Sequence, residues 1–81
     1  MASIMADFDL ELDTRGLICP LPILRAKKAL HDLRPGDVLK VLATDPGSVE
    51  DFKAFSTQTG HELLASESVG DEFHFRLKKQ D

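Results

Sequence analysis

The chain has 81 residues, the length of one small domain, and its 42% hydrophobic and 30% charged residues are typical of a folded rather than a disordered protein. Its formal net charge of -4 gives no global attraction to a phosphate backbone, so direct nucleic-acid binding is not expected. A single cysteine excludes an intramolecular disulfide, which a secreted domain of this size would usually need, and therefore indicates the reducing cytoplasm.

The N-terminal residues have none of the features of a targeting segment. Met1 to Ala6 lack a basic region followed by an apolar stretch, and acidic residues follow directly. We expect residues 1–7 to form a short tail and residues 8–79 to form a single domain. The sequence contains no run of about 18 apolar residues, so association with a membrane is not expected.

The first half of the chain predicts a strand, a helix and a second strand. Apolar and acidic residues alternate from Phe8 to Asp13, which indicates a strand with one apolar face. A helix is expected over about residues 20–33, because proline is favoured at the first helical position. The apolar stripe of this helix consists of Ile23, Ala26, Leu30 and Leu33. The apolar run Val38 to Ala43 then predicts an interior strand.

The second half predicts one helix and a hairpin. Asp45 is expected to cap a helix that begins at Pro46, runs to about Thr59 and ends at Gly60. Two further strands, His61 to Val69 and Glu72 to Lys79, are joined by a tight turn. The inward stripe of the second helix consists of Val49, Phe52, Phe55 and Ser56, which we interpret as core residues without a further function.

The order of these elements determines the expected fold class. In a β-α-β-α-β-β chain, the β-α-β unit requires a parallel strand pair with a right-handed crossover. Both helices should therefore cover one face of a mixed four-stranded sheet. The fold class predicted is α/β (α+β), a two-layer sandwich.

Cys19 is the strongest candidate for chemistry. Pro20 disfavours a helical conformation for the residue before it, so Cys19 should adopt the extended conformation of an N-cap residue. At that position the sulfur would lie beside free backbone N–H groups, for which Leu21 and Ile23 are the expected donors because Pro22 has none. The helix dipole would then stabilise a thiolate and lower the pKa of the cysteine.

Other groups of potentially functional residues give weaker evidence for a site. Four cations, Arg15, Arg25, Lys27 and Lys28, lie within nine residues of Cys19, and they form either a basic collar around the sulfur or a solvated helix face. The chain has no C-x-x-C motif, and its three histidines are widely spaced, so neither a metal site nor a cofactor is expected.

The segment Gly16-Leu17-Ile18-Cys19-Pro20-Leu21-Pro22 resembles the Cys-Pro-x-Pro motif of the TusA family of sulfur carriers, also called SirA-like proteins. The resemblance extends over about residues 8–79. It implies that Cys19 accepts sulfane sulfur as a persulfide from a donor protein, either a cysteine desulfurase or a rhodanese. It also implies delivery to an acceptor protein for tRNA 2-thiouridine formation, molybdenum cofactor assembly or sulfur oxidation.

These implications assign roles to the residues around Cys19. The motif and helix start would comprise Gly16, Pro20, Leu21, Pro22 and Ile23. Residues expected to contact a partner are Arg15, Leu17, Ile18, Leu24, Arg25, Lys27, Lys28 and Asp45. Such a protein would be a stoichiometric, sulfurtransferase-like carrier rather than a self-contained catalyst. The alternative is a regulatory or redox-sensing binding module in which Cys19 caps a helix.

Overall fold

The computed structural model describes residues 8–80, and the predicted tail over residues 1–7 lies outside them. The elements in chain order are β1 (Leu10–Thr14), α1 (Leu21–His31), β2 (Val38–Ala43), α2 (Ser48–Thr59), β3 (Glu62–Val69) and β4 (Glu72–Lys78). The predicted β-α-β-α-β-β order is therefore confirmed. Within residues 8–80, no helix is long and apolar enough to cross a membrane.

The four strands form one mixed sheet in the spatial order β1-β2-β4-β3. Strands β1 and β2 are parallel, with Leu12 opposite Val41, whereas β2 and β4, and β3 and β4, are antiparallel. A parallel pair cannot be joined by a tight turn, so α1 crosses from the end of β1 to the start of β2. The tight turn between β3 and β4 contains Gly70, which has a positive φ of 61°.

One hydrophobic core lies between the sheet and the two helices. Its members come from α1, β2, α2 and β4, and they are Ala26, Leu30, Leu39, Val41, Ala43, Phe52, Phe55, Phe75 and Leu77. The rings of Phe52 and Phe75 stack with centroids 4.6 Å apart. Because both helices contribute to this single core, the predicted two-layer sandwich is confirmed. All members of the predicted inward stripes except Ser56 belong to this core or pack against it.

The first strand begins later than predicted. Phe8 lies before β1, and the Nζ atom of Lys40 is 5.4 Å from its ring centroid. Asp9 then connects the chain to β2, because its N–H donates to the carbonyl of Val38 at 2.7 Å and its carboxylate accepts from the N–H of Val38 at 2.8 Å. The side-chain bond replaces ladder pairing at this point, so regular pairing begins at Leu10.

Both helices begin one or two residues later than predicted. The N-cap of α1 is Pro20, and the helix ends at His31 rather than near residue 33. The N-cap of α2 is Gly47, so the expected cap at Asp45 is wrong. The reason is that the Asp45 carboxylate accepts the N–H of Gly47 at 3.3 Å in a turn before the helix and also reaches across to another loop. At the other end, Gly60 ends α2 as predicted, with a φ of 85°.

Candidate functional site at Cys19

Cys19 lies in the loop of residues 15–20 that joins β1 to α1, and its side chain is exposed. Because β1 and β2 are parallel, this loop and the β2–α2 loop emerge at the same end of the sheet. A hydrogen bond connects the two loops, since the Gly16 N–H donates to the Thr44 hydroxyl at 2.9 Å. Gly16 has a φ of 84°, a conformation that side-chain-bearing residues rarely adopt.

A carboxylate of the second loop fixes the backbone of the cysteine. The Cys19 N–H donates to Oδ2 of Asp45 at 2.8 Å. A hydrogen bond from an amide to an ionised carboxylate is stronger than one between neutral groups. Asp45 therefore positions Cys19 from a part of the chain 26 residues away.

The expected relation between Cys19 and the helix start is wrong. Cys19 precedes the N-cap, the Cys19–Pro20 peptide bond is cis, and α1 has no side-chain cap hydrogen bond. The N–H of Leu21, expected to donate to the sulfur, donates instead to the carbonyl of Ile18 at 2.9 Å. The sulfur is therefore not a helix cap.

The predicted direction of the pKa shift is also wrong, because the pKa of the Cys19 thiol is raised above its ordinary value. The largest cause is hydrogen bonding to the Asp51 carboxylate, followed by desolvation and by the negative charges of Asp51 and Asp45. A nearby negative charge disfavours a second one, so the protonated thiol is favoured. The groups that control the sulfur are thus carboxylates from α2 and the loop before it.

A small cavity of about 190 Å³ lies beside the sulfur. It is lined by Cys19, Pro20, Ile23, Asp51, Ala54, Phe55 and Gln58. Sequence reasoning missed the four members from α2 as site residues. Their spacing, at positions 51, 54, 55 and 58, is that of one helix face, but the sequence did not show that this face meets the β1–α1 loop.

Three of the four cations of the predicted basic collar lie in different places in the structure. Arg15 forms ion pairs with Asp13 at 2.8 Å and with Glu72 at 3.1 Å. Lys27 and Lys28 line a separate groove of about 490 Å³. The other members of that groove are Leu24, Leu30, His31, His61 and Lys79. Arg15 is therefore separated from Lys27 and Lys28.

The predicted apolar residues are mostly exposed. Ile18 is 70% exposed, Leu24 is 54% exposed and Leu21 is 40% exposed, whereas Leu17 is partly buried. Pro22 is buried and helps to anchor the start of α1 in the core. Ile18 and Leu21 therefore add exposed apolar surface within two residues of Cys19, whereas Leu24 lines the separate groove.

Potential metal ligands are dispersed. Within residues 8–80, no group of three or more His, Cys, Asp or Glu side chains is close enough to hold a metal ion. His61 is used structurally: its Nδ1 accepts the N–H of Gln80 at 2.9 Å, and desolvation lowers its pKa. The cavity beside Cys19 has no histidine in its lining.

Comparisons with known proteins identify the family of this chain. A sequence model of the family described as Sulfurtransferase TusA matches residues 10–79. The sulfur carrier protein TusA of Allochromatium vinosum is 64% identical over 75 residues, which cover 93% of this chain and 99% of that protein. The crystal structure of a SirA-like protein from Desulfitobacterium hafniense is 26% identical, has a TM-score of 0.78, and covers 90% of this chain and all of that one. The family expected from the Cys-Pro-x-Pro motif is therefore confirmed, and the chain belongs to the TusA family.

Proposed function

We propose that this protein is a cytoplasmic sulfur carrier that holds one sulfane sulfur atom as a persulfide on Cys19. The observation that carries the proposal is the exposed position of the only cysteine, at the end of the sheet where two crossover loops meet. A cysteine in this position can enter the active site of another protein. The 64% identity to a sulfur carrier protein supports the same role.

The transfer step requires no oxidant. The Cys19 thiolate attacks the terminal sulfur of a donor persulfide, so that a new S–S bond forms on Cys19 while the S–S bond of the donor breaks. The donor cysteine leaves as a thiolate and takes up the proton that Cys19 has lost. One thiol and one persulfide therefore become one persulfide and one thiol. Delivery to an acceptor is the same exchange in the opposite sense.

The partners are proposed to be proteins. A cysteine desulfurase or a rhodanese would load Cys19, and an acceptor in tRNA 2-thiouridine formation, molybdenum cofactor assembly or sulfur oxidation would unload it. The exposed apolar side chains of Ile18, Leu21 and Leu24 would contact them, since apolar centres with polar rims are typical of protein interfaces. The shallow cavity at Cys19 favours this carrier role over a self-contained catalyst that would enclose a substrate.

The alternative function receives less support. A helix-capping role for Cys19 does not fit an α1 whose N-cap is Pro20. A redox sensor usually has a cysteine with a low pKa, whereas the pKa of Cys19 is raised. Both observations count against the alternative.

The proposal is tested by supplying the protein with a sulfur donor and measuring its intact mass. The protein is incubated with a cysteine desulfurase, pyridoxal phosphate and L-cysteine, and its intact mass is measured beside that of Cys19→Ser. We expect a gain of about 32 Da, one sulfur atom, on the wild type only. Absence of any gain, both with this donor and with a rhodanese and thiosulfate, would show that Cys19 is not a sulfur carrier.

A further inference from the structure

The first turn of α2 places one carboxylate beside the sulfur and another away from it. Glu50 and Asp51 are consecutive residues in this turn. Asp51 is partly buried and lines the cavity that contains Cys19, whereas Glu50 is exposed and lines a different depression with Lys53 and Thr57. The two acids have the same charge and nearly the same place in the chain. Only Asp51 faces the cysteine.

The geometry around Asp51 strengthens its effect on the thiol. Its N–H donates to the carbonyl of Gly47 at 3.1 Å, so the residue is held in the helical first turn. The remaining lining of the cavity includes the apolar side chains of Pro20, Ile23 and Phe55, while Cys19 itself remains exposed to solvent. Charges interact more strongly beside apolar atoms than in open water.

Among residues 8–80, the charged groups that act on the thiol are carboxylates. Asp51 acts from α2 and Asp45 from the β2–α2 loop, while α1 contributes uncharged Ile23 to the cavity. Arg15, the cation of the Cys19 loop itself, is paired with Asp13 and Glu72. The environment of the empty site therefore opposes ionisation of the sulfur.

We propose that the Asp51 carboxylate holds the Cys19 thiol in its protonated form in the empty carrier and acts much less on the loaded carrier. Asp51 is then a positioning residue, which keeps the empty thiol unreactive toward small electrophiles and oxidants. In the loaded carrier the reactive atom is the outer sulfur, which lies one S–S bond of about 2 Å beyond Sγ. This second half of the inference rests on the proposed function, whereas the first half does not.

The test compares alkylation of Cys19 by iodoacetamide across pH in three proteins: wild type, Asp51→Asn and the matched control Glu50→Gln. Cys19 is the only cysteine, so the intact mass reports one thiol. For the empty protein, we expect the pH profile of Asp51→Asn to move to lower pH and its rate near neutral pH to rise several-fold. Glu50→Gln should superimpose on the wild type. A general loosening of the fold would raise reactivity at all pH values without moving the profile.

The same measurement on protein loaded with sulfur tests the second half. Alkylation of the persulfide should differ little between wild type and Asp51→Asn. An unchanged profile for empty Asp51→Asn would overturn the inference, whatever the protein carries. An equal shift in the empty and loaded forms would overturn the distinction between them. If the wild type never gains sulfur, the proposed function fails, while a shifted profile would still establish the role of Asp51 on the thiol.

Discussion

Thr14 provides a quantitative test of how the sheet holds the Cys19 loop in place. It is the last residue of β1, is fully buried, and precedes the loop directly. Its hydroxyl donates to the carbonyl of Leu42 in β2 at 2.6 Å. Thr14→Val keeps the branched shape and the preference for a strand but removes this hydrogen bond.

The expected cost of Thr14→Val is about 1–2 kcal/mol. A net intramolecular hydrogen bond contributes roughly 0.5–1.5 kcal/mol, and a buried polar group that loses a partner costs somewhat more. The methyl group that replaces the hydroxyl restores part of the lost free energy of unfolding, because it adds buried apolar surface. At roughly 0.05–0.15 kcal/mol per residue, a chain of this length has a free energy of unfolding of about 4–12 kcal/mol, so the variant should still fold.

The assay is urea denaturation followed by far-UV circular dichroism, because the protein has no Trp or Tyr for fluorescence. With a slope of about 1 kcal/mol per molar urea, the midpoint should fall by roughly 1–2 M at an unchanged slope. Thr57→Val is the matched control, since the Thr57 hydroxyl makes an exposed bond to the carbonyl of Lys53 at 3.1 Å. Its stability should change by less than about 0.5 kcal/mol. Equal midpoints for Thr14→Val and wild type would refute the reasoning.

Two further predictions concern charged side chains. Arg15 lowers the pKa of Asp13 from 3.8 to about 2, so ionised Asp13 stabilises the fold above about pH 4 and this contribution is lost as pH falls toward 2. The Tm difference between wild type and Asp13→Asn should therefore narrow over that range, and a constant difference would contradict the assignment. Lys79 donates to the carbonyl of His31, the last residue of α1, at 3.2 Å and to that of Leu33, just beyond the helix, at 2.7 Å. Lys79→Met should cost about 1 kcal/mol and speed hydrogen exchange in the last turn of α1, whereas Lys78→Met, at an exposed position, should do neither.

The order of elements could be predicted because each is specified locally. Alternation specifies β1 and β4, and the 3.6-residue period specifies the buried face of α1 through Ala26 and Leu30. The exact first residue of an element was harder to predict. Phe8 continues the alternation but lies outside β1, because Asp9 bonds to Val38 through its side chain, which a periodic pattern cannot show.

Only the centre of the site, Cys19 with its motif, could be predicted from the sequence. Cys19 and the residues of its motif are adjacent in sequence, so their proximity required no knowledge of the fold. The contacts of Cys19 with Asp45 and Asp51 depend on the parallel pairing of β1 and β2 and on the position of α2 over the sheet. Spacing along the chain therefore does not predict that either carboxylate lies near Cys19.

The difference between sequence proximity and spatial proximity decides the electrostatics of the sulfur. Lys27 and Lys28 are near Cys19 in sequence, yet they line a separate groove, and Arg15 is paired with acids at the end of the sheet. Asp51 is 32 positions further along the chain, yet it faces the thiol. In the part of the chain that the structure describes, the thiol therefore has no activating cation of the kind that a cysteine enzyme supplies to its own nucleophile. This is consistent with the proposed carrier role, in which sulfur exchange takes place in the active site of a partner that can supply the activating groups. An exposed thiol that is activated at all times would be open to oxidation.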